Sequence, residues 1–459
     1  MSPPDSPDPQ ARPAAARVAG AMESFSRDIG AMSAFRLESC IHCGMCADSC
    51  HYYIATEDPQ YTPIWKVEPF KQAYKREAGA FAPLFRLLGL KRAVTAEQLT
   101  QWQHLLFDSC NLCGRCSLIC PMGIDVTALI AQARHAMFDA GLAPPELYAK
   151  AAHQRLTGQP EASVEPYRDQ LKAIGARFDV AIRLDETDVE VMLCVPRTDI
   201  VQYPAAVAAL ARVMAFLKVS YTFRSDGLVA ENYGHHAGSP EWQRDISLRL
   251  IDQAIACGAK TLLIPECGHA YSVLRWEAAD LYGAPLPFEV MAVTEYLAKE
   301  LQAGRLKLGT AALESATFQD PCQLSRKAGL QHAPRTLMHA MGVNLKEMQA
   351  HGAFSFCCGG GGGVVDIESA APLRYRTVET KLREIAATGA ATVLTSCCDC
   401  RRTFDDANRH FADHESATVR NAVRAAGTAE AASLLELIAQ HLRSDETAAC
   451  ARKPSWWTR

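Results

Sequence analysis

Short apolar runs alternate with amphipathic segments along the second part of the chain. Apolar runs bounded by turn residues predict buried strands, and apolar positions at helical spacing predict helices between them. The strands are predicted over residues 189–195, 219–223, 261–264, 316–318, 353–356 and 392–395. The helices are predicted over residues 205–217, 242–256, 290–301, 334–341, 374–387 and 429–442. This alternation is typical of α/β layers with parallel strands.

The same order of elements occurs twice, and individual residues repeat with it. Gly234 follows Pro196 by 38 positions, and Gly359 follows Pro321 by 38 positions. Repetition at this level predicts two copies of one α/β unit, related by pseudo-twofold symmetry. The two copies are predicted to span residues 189–305 and 311–443.

The first third of the chain has a different pattern. Residues 69–79 and 126–141 carry apolar positions at helical spacing, which predicts a helical domain over residues 21–150. The predicted fold class is therefore α + α/β, a helical N-terminal domain followed by a duplicated α/β domain. A disordered leader, a polar linker with some helix and a tail are predicted over residues 1–20, 151–188 and 444–459.

Composition narrows the class of protein. The chain has 459 residues, of which 49% are hydrophobic and 21% charged, which excludes global disorder. We find no apolar run of about 18 residues and no hydrophobic signal core, so we expect a cytoplasmic protein without a transmembrane helix. A net charge of −4 gives no reason to expect nucleic acid as a partner. Eighteen cysteines in a reducing compartment point to bound metal rather than to disulfides.

Two dense cysteine motifs lie in the predicted helical domain. Each has the spacing C-x2-C-x2-C-x3-C, which is typical of paired 4Fe–4S cubane clusters in which the fourth cysteine reaches the other cluster. Zinc is the alternative, but its sites use two pairs of ligands rather than four cysteines in eleven residues. The spacing assigns Cys40, Cys43, Cys46 and Cys120 to one cubane and Cys110, Cys113, Cys116 and Cys50 to the other.

A third group of cysteines falls in the second α/β copy. Ligands of open parallel sheets lie beyond the carboxyl ends of the strands, so cysteines that follow several strands can converge there. Five thiolates are too many for one cubane. A redox dithiol at Cys397 and Cys400, or a zinc site, remains an alternative. The five cysteines of this group are Cys322, Cys357, Cys358, Cys397 and Cys400.

The C…CCG…CxxC pattern behind two ferredoxin motifs resembles the heterodisulfide reductase HdrD/CCG-domain family. The stretches 220–223, 231–234 and 266–270 resemble its DsrK branch, the iron–sulfur subunits of a membrane complex of sulfur metabolism. This resemblance implies that the five cysteines bind a non-cubane 4Fe–4S cluster that reduces or forms disulfides. It also implies an integral membrane subunit with haem b that exchanges electrons with quinone. The implied substrate is a disulfide or trisulfide of a small cysteine-bearing sulfur-carrier protein.

The first α/β copy lacks the cluster cysteines. When the copies are overlaid, Arg197 falls on Cys322, Tyr233 on Cys358, and Glu266 and His269 on Cys397 and Cys400. We expect this copy to bind no cluster, and Cys194 and Cys267 to be buried structural thiols. We expect Arg197, Tyr233, Glu266 and His269 to line a pocket that faces the cluster.

The replacement residues suggest a supply of protons. Histidine titrates near neutral pH, so our hypothesis is that His269, assisted by Glu266, protonates the departing thiolate. The alternative is that the polar set only satisfies hydrogen bonds in a filled cavity. For His235 and His236 we expect a simple role in a loop.

Two apolar segments could attach the chain to a membrane subunit. Residues 81–90 (FAPLFRLLGL) and Trp456-Trp457 could form an exposed docking patch, although the first segment could equally be a core helix. Together these features predict an iron–sulfur oxidoreductase subunit held at the inner face of the cytoplasmic membrane by its partner. One rival is the iron–sulfur subunit of a glycolate or lactate oxidase-type complex, which takes electrons from a flavin subunit. A redox scaffold or sensor without enzymatic activity is another.

Overall fold

The computed structural model describes residues 12–77, 81–89, 93–163, 165–265, 267–412 and 432–443. These residues form a helical N-terminal region and two α/β units, each with its own small parallel sheet. Within these ranges, no helix combines the length and the apolar character that crossing a membrane requires.

The N-terminal region packs around the helix Val126–Asp139. The carboxylate of Asp125 caps that helix by accepting from the Ala128 amide at 3.1 Å. Its apolar face contacts the first and fifth helices of the chain, which closes a continuous core. The helices are α1 (Ala14–Asp28), α2 (Ala31–Glu38), α3 (Met45–Asp48), α4 (His51–Thr56), α5 (Pro63–Glu77), α6 (Ala82–Leu87), α7 (Ala96–Gln103), α8 (Arg115–Ile119), α9 (Val126–Asp139), α10 (Pro145–Thr157) and α11 (Tyr167–Phe178).

The first α/β unit contains a four-stranded sheet with the strand order β2-β1-β3-β4, and all its neighbours are parallel. Its strands are β1 (Val191–Leu193), β2 (Tyr221–Phe223), β3 (Thr261–Ile264) and β4 (Glu289–Ala292). Its helices are α12 (Arg197–Val201), α13 (Pro204–Phe216), α14 (Tyr233–Ala237), α15 (Pro240–Ala256), α16 (Gly268–Trp276), α17 (Ala278–Tyr282) and α18 (Val293–Gln302).

The second unit contains a three-stranded parallel sheet with the order β5-β6-β7. Leu345 adds a parallel bridge to Ala316 in β5, outside the named strands. The strands are β5 (Ala316–Gln319), β6 (Thr392–Thr395) and β7 (Ala432–Ser433). The helices are α19 (His332–Ala340), α20 (Ala371–Ala387), α21 (Cys398–Phe411) and α22 (Leu434–Gln440).

The two α/β units share one hydrophobic core. Apolar residues from both sheets belong to a single buried cluster, which includes Leu193 and Leu263 of the first unit and Phe318 and Leu394 of the second. Helix α13 packs against α22, and α18 packs against α19. The units are therefore fixed to one another rather than joined by a linker alone.

The predicted strand over residues 353–356 is wrong. Residues Gly352–Phe354 form a short 3-10 turn instead, and Gly352 has a φ of +58°. The guanidinium of Arg326 donates to the carbonyls of Ala353 (2.7 Å) and Ser355. These carbonyls are thereby satisfied without a neighbouring strand.

The predicted helix over residues 290–301 is only partly correct. The apolar residues Val290 and Met291 belong to strand β4, and helix α18 begins at Val293. A short apolar run at the start of a helix does not distinguish a strand from a further helical turn. Similarly, residues 432–433 of the predicted helix over residues 429–442 form strand β7, and helix α22 begins at Leu434; residues 429–431 lie outside the described part.

The leader and the linker are more ordered than the sequence predicts. Helix α1 begins at Ala14 and packs on α9, so the predicted disorder over residues 1–20 is wrong from residue 14 onward. Helices α10 and α11 together cover half of the predicted polar linker, for which only some helix is expected. Residues 1–11 and the predicted tail lie outside the described residues.

Candidate metal centres

Cavity A, defined by Cys40, Cys43, Cys46 and Cys120, lies near the surface of the helical region. The four cysteines line one cavity, and Cys43 is exposed. Gly44, which precedes helix α3, has a φ of +82°. A residue with a side chain would be strained there, because the chain turns in the left-handed region as it passes around the cavity.

Cavity B, defined by Cys50, Cys110, Cys113 and Cys116, lies deeper in the same region. Its loop repeats the backbone shape of the first motif, since Leu112 and His42 at matching positions have φ values of +52° and +55°. Each cavity therefore takes three cysteines from one motif and the fourth from the other. The structure brings together the two sets of four that the spacing predicts.

The donor set of cavity B fits an anionic iron–sulfur centre. The side chain of Lys66 is only 3% exposed, and its Nζ lies 3.8 Å from the Sγ of Cys50. A buried ammonium is unfavourable unless negative charge lies nearby, and thiolates holding a cluster provide such charge. Among the described residues, no three Cys, His, Asp or Glu side chains converge on the position of a single metal ion.

Cavity C, defined by the five cysteines of the second α/β unit, lies at the carboxyl ends of strands β5 and β6. Three residues after β5 comes Cys322, Cys397 follows β6 by two residues, and Cys400 lies in the first turn of α21. All five cysteines line the same cavity and all five are buried. The convergence that the sequence predicts from the strand ends is present, even though Cys357 and Cys358 follow no strand.

The thiols of cavity C form a continuous chain of contacts. The Cys357 side chain lies in hydrogen-bonding contact with those of Cys322 and Cys358. The Cys358 side chain contacts Cys400, which in turn contacts Cys397. Adjacent Cys357 and Cys358 therefore both face the site, which one cubane corner could not accommodate.

Cavities B and C are direct neighbours. The Cys113 thiol of cavity B contacts the Cys357 thiol of cavity C. The side-chain amide of Asn111 donates to the carbonyls of Gly359 (2.8 Å) and Gly361 (2.9 Å), which fixes the two loops together. Centres bound in cavities B and C would thus be separated by little more than the cysteines that hold them.

Of the residues that align with the cluster cysteines in the sequence, Arg197, Tyr233 and His269 do not line one pocket. His269 lines cavity C, where its Nε2 accepts from the Gly362 amide at 3.2 Å. The hydroxyl of Tyr233 instead donates to Asp366 at 2.9 Å. Arg197 lies in a separate surface groove, where it donates to Gln170 at 2.6 Å. The prediction of a shared pocket is wrong for Arg197 and Tyr233, because both side chains are held by partners outside cavity C.

Glu266 lies outside the described residues. The position of His269 is defined, and burial together with the neighbouring rings of His236 and His235 keeps its pKa well below the usual value. The ring is therefore neutral near pH 7. Because Nε2 accepts a hydrogen bond, the proton of the neutral ring lies on Nδ1.

His235 and His236 lie in helix α14, and their predicted place in a loop is wrong. The side chain of Asn232 caps this short helix by accepting from the His235 amide at 3.0 Å. The His236 ring packs edge-on against the His269 ring, with centroids 5.1 Å apart. Cys194 and Cys267 are buried as expected.

Three buried polar residues that contact the sites were missed by the sequence interpretation. These are Lys66, Asn111 and Arg134. Arg134 is fully buried and its guanidinium donates to the carbonyls of Leu106, Cys110, His236 and Gly362. Their only sequence signal is a polar residue on an otherwise apolar helix face or within a cysteine motif, and such residues are usually solvent-exposed.

Comparison with known proteins agrees with this geometry. Residues 39–125 match the family of 4Fe-4S dicluster domains, and residues 316–405 match the cysteine-rich CCG domain family. The chain is 27% identical to one of the subunits of dihydromethanophenazine:CoB–CoM heterodisulfide reductase from Methanosarcina mazei, over 83% of this chain and 91% of the relative.

Two further relatives align with most of this chain. An Hdr-like menaquinol oxidoreductase iron–sulfur subunit from Archaeoglobus profundus is 25% identical, over 83% of this chain and 78% of the relative. An EtfAB:quinone oxidoreductase from Syntrophomonas wolfei is 24% identical, over 85% of this chain and 58% of the relative. The dicluster motif, the five-cysteine cavity and these similarities place this chain in the HdrD/CCG family of iron–sulfur proteins.

Proposed function

We propose that the protein is an electron-transfer subunit that reduces, or in the reverse direction forms, a disulfide at cavity C. The observation that carries this proposal is the contact between Cys113 and Cys357, which joins cavity B to cavity C. Cavity A, with its exposed Cys43, gives an entry point for electrons at the surface. Electrons would therefore pass from a partner to cavity A, then to cavity B, and then to cavity C.

The proposed cofactors are two 4Fe–4S cubanes in cavities A and B and one non-cubane 4Fe–4S cluster in cavity C. These groups supply one-electron steps at a potential set by their surroundings. The proposed reaction consumes two electrons and two protons for each disulfide, breaks the S–S bond and releases two thiols. The proposed substrate is a disulfide or trisulfide of a small cysteine-bearing sulfur-carrier protein, as in the DsrK branch.

His269 is the proposed proton donor at cavity C. The resting ring is neutral with its proton on Nδ1, so it must first take up a second proton at Nε2, in place of the Gly362 contact, before it can pass one to the departing thiolate; the ring lines cavity C beside the reacting groups. The proposed assistance from Glu266 concerns a residue outside the described ranges. If this role is right, His269→Gln lowers disulfide turnover while iron content stays normal. Wild-type turnover in that variant would remove His269 from the reaction.

The proposed partner is an integral membrane subunit with haem b that exchanges electrons with quinone. It would hold this chain at the cytoplasmic face of the membrane. A relative named as a menaquinol oxidoreductase subunit supports a quinone link. Helix α6 supports a docking surface, because its Leu84 is 49% exposed and its Leu87 is 83% exposed. These exposures contradict the alternative of a core helix for that segment; Trp456-Trp457 lies outside the described residues.

The proposed duplication of the α/β unit rests on shared connectivity. In the first unit, β1 pairs with β2 on one side and with β3 on the other. In the second unit, β5 forms a bridge to Leu345 on one side and pairs with β6 on the other, so Leu345 takes the place of β2. Helices α13 and α19 lie after the first strand of their units, and α18 and α22 lie after the last strand. Exchanging the two units therefore turns the α13–α22 contact into the α18–α19 contact. A pair of contacts related in this way is what a twofold arrangement produces.

The test of this function begins with iron content and EPR. Three 4Fe–4S centres predict about twelve irons per chain in anaerobically purified protein. Cys400→Ser should lose about four of these irons and the thiol-dependent EPR signal, while the signals of reduced cubanes remain. A wild-type content of about eight irons would contradict a cluster in cavity C.

The rival function takes electrons from a flavin subunit. The relative named EtfAB:quinone oxidoreductase is the observation that keeps this rival in view. The two functions differ in the response of cavity C to thiols. A paramagnetic species that shows hyperfine coupling to an isotopically labelled thiol favours disulfide chemistry, whereas reduction by a flavoprotein without any thiol response favours the rival.

A further inference from the structure

Helix α5 carries a buried lysine between the two halves of cavity B. The Nζ of Lys66 lies 3.8 Å from the Cys50 Sγ, donates to the carbonyl of Ser109, and sits 4.7 Å from the centroid of the Tyr52 ring. The cysteine, the carbonyl and the ring face surround the ammonium. All three are groups that attract a cation.

Within the described ranges, Lys66 has no carboxylate partner. Among the described residues, no Asp or Glu oxygen lies within ion-pair distance of its Nζ, whereas buried Lys381 is paired with Glu384 at 2.7 Å. An uncompensated buried charge destabilises a folded chain strongly in general. The thiolates of cavity B are therefore the negative charge that makes burial of Lys66 tolerable.

We propose that Lys66 is the positioning residue that compensates the charge of the centre in cavity B and raises its reduction potential. A nearby cation stabilises the reduced form, which carries one more negative charge, more than it stabilises the oxidised form. Cavity B would then retain an electron next to Cys357, where the two-electron chemistry of cavity C needs it. This inference rests on the proposed ligand set of cavity B.

The same helix provides a matched control. Lys71 is also buried, but it lines cavity A, where its Nζ lies 3.1 Å from the Nε2 of His42. Glu68 also lines that cavity. Removing the charge of Lys71 should leave the centre in cavity B at its original potential.

The test is a redox titration followed by EPR on the anaerobically purified full-length protein. Lys66→Gln removes the charge but keeps a donor for the Ser109 carbonyl, and Lys66→Arg keeps the charge. We expect the reduction potential of the cubane in cavity B to become more negative in Lys66→Gln. The same potential should stay near the wild-type value in Lys66→Arg and in Lys71→Gln. Unchanged potentials of both cubanes in Lys66→Gln would overturn the proposal.

Loss of iron also decides the matter. Loss in Lys66→Gln but not in Lys66→Arg supports the proposal, because arginine keeps the positive charge that glutamine lacks. Loss in both variants overturns it, since the lysine's shape rather than its charge would then be required. Cys50→Ser tests the ligand set separately. If both cubane signals persist unchanged in that variant, the assignment of Cys50 fails whatever the result at Lys66.

Discussion

At the residue scale, one buried arginine connects the three parts of the protein. The Arg134 guanidinium in helix α9 donates to Cys110 beside cavity B, to His236 in the first α/β unit and to Gly362 in the second. Guanidinium is suited to this because its donors point in several fixed directions within one plane. The carbonyls it serves have been removed from water, so each depends on that donor.

Replacing Arg134 with methionine should therefore destabilise the protein strongly. Methionine fills the space but leaves several buried carbonyls without donors, at a cost of about 1–3 kcal/mol for each. We expect a large fall in the midpoint of anaerobic thermal unfolding. Arg212→Met is the control, because Arg212 is exposed and makes a single long bond of 3.3 Å to the Phe178 carbonyl. Equal midpoints for the two variants would contradict this view of Arg134.

The buried histidine His236 gives the stability a pH dependence. Burial, with the charges of nearby His235 and Arg134, lowers the pKa of His236 from 6.5 to about 3. Below about pH 6.5 the unfolded chain binds a proton that the folded chain does not bind. The resulting stability is fully present above about pH 6.5 and is lost as the pH falls toward about 3.

His236→Phe should reduce the slope of unfolding free energy against pH between about pH 6.5 and 5. The reason is that phenylalanine binds no proton in either state. Denaturant unfolding at several pH values measures the slope, and His332→Gln, at an exposed histidine, should leave it unchanged. A slope that is the same in His236→Phe and in the wild type would show that other groups cause the dependence.

At the element scale, the glycine-rich loop over residues 359–363 holds cavity C against the helical region. Gly362 has a φ of +66°, and a Cβ there would lie 2.9 Å from the Asn111 backbone. Asn111 lies within the second cysteine motif, so this close approach joins the loops of cavities B and C. The loop needs glycine for both its backbone conformation and its space.

Gly362→Ala should lower the iron content and the thermal stability together. The matched control is Gly389→Ala, because Gly389 has a similar φ of +59° but nothing within 4 Å of a Cβ. Both variants carry a similar cost for the left-handed backbone, of about 1 kcal/mol. Only Gly362→Ala adds the collision. Full iron content in Gly362→Ala would contradict the proposed close contact of the two loops.

At the scale of the whole molecule, three cavities lie in a sequence from an open surface to a buried site. Cavity A has an exposed cysteine, cavity B is enclosed by the helical region, and cavity C lies at the strand ends of the second α/β unit. Exposed apolar side chains occur on the same helical region, on helix α6 and the turn after it. An apolar patch of this kind is typical of a surface that binds another protein or a membrane.

Removing this patch should weaken attachment to the proposed membrane partner without unfolding the protein. The combined substitution Leu84→Ser, Leu87→Ser and Leu88→Ser acts on side chains that are already about half exposed or more, so we expect little change in stability. We expect less of the protein in the membrane fraction of cells that contain the whole complex. Trp276→Ser, at an exposed position of the first α/β unit, is the control. Unchanged membrane association would exclude α6 as the docking surface.

The sequence by itself indicated iron–sulfur chemistry and predicted which cysteines come together in each of the three cavities. Within each C-x2-C-x2-C motif only a few residues separate the ligands, so the short backbone limits which sulfurs can meet. The same local logic predicted most strands and helices, but failed at residues 353–356, where the carbonyls are satisfied by distant Arg326.

Only the tertiary structure decided which distant groups meet. The contact of Cys113 with Cys357, the burial of Lys66 and Arg134, and the separation of Arg197 from His269 all depend on how the helical region packs on the two α/β units. No local spacing encodes these contacts, because they join segments far apart in the chain. They are selected by the burial of apolar surface across the whole molecule.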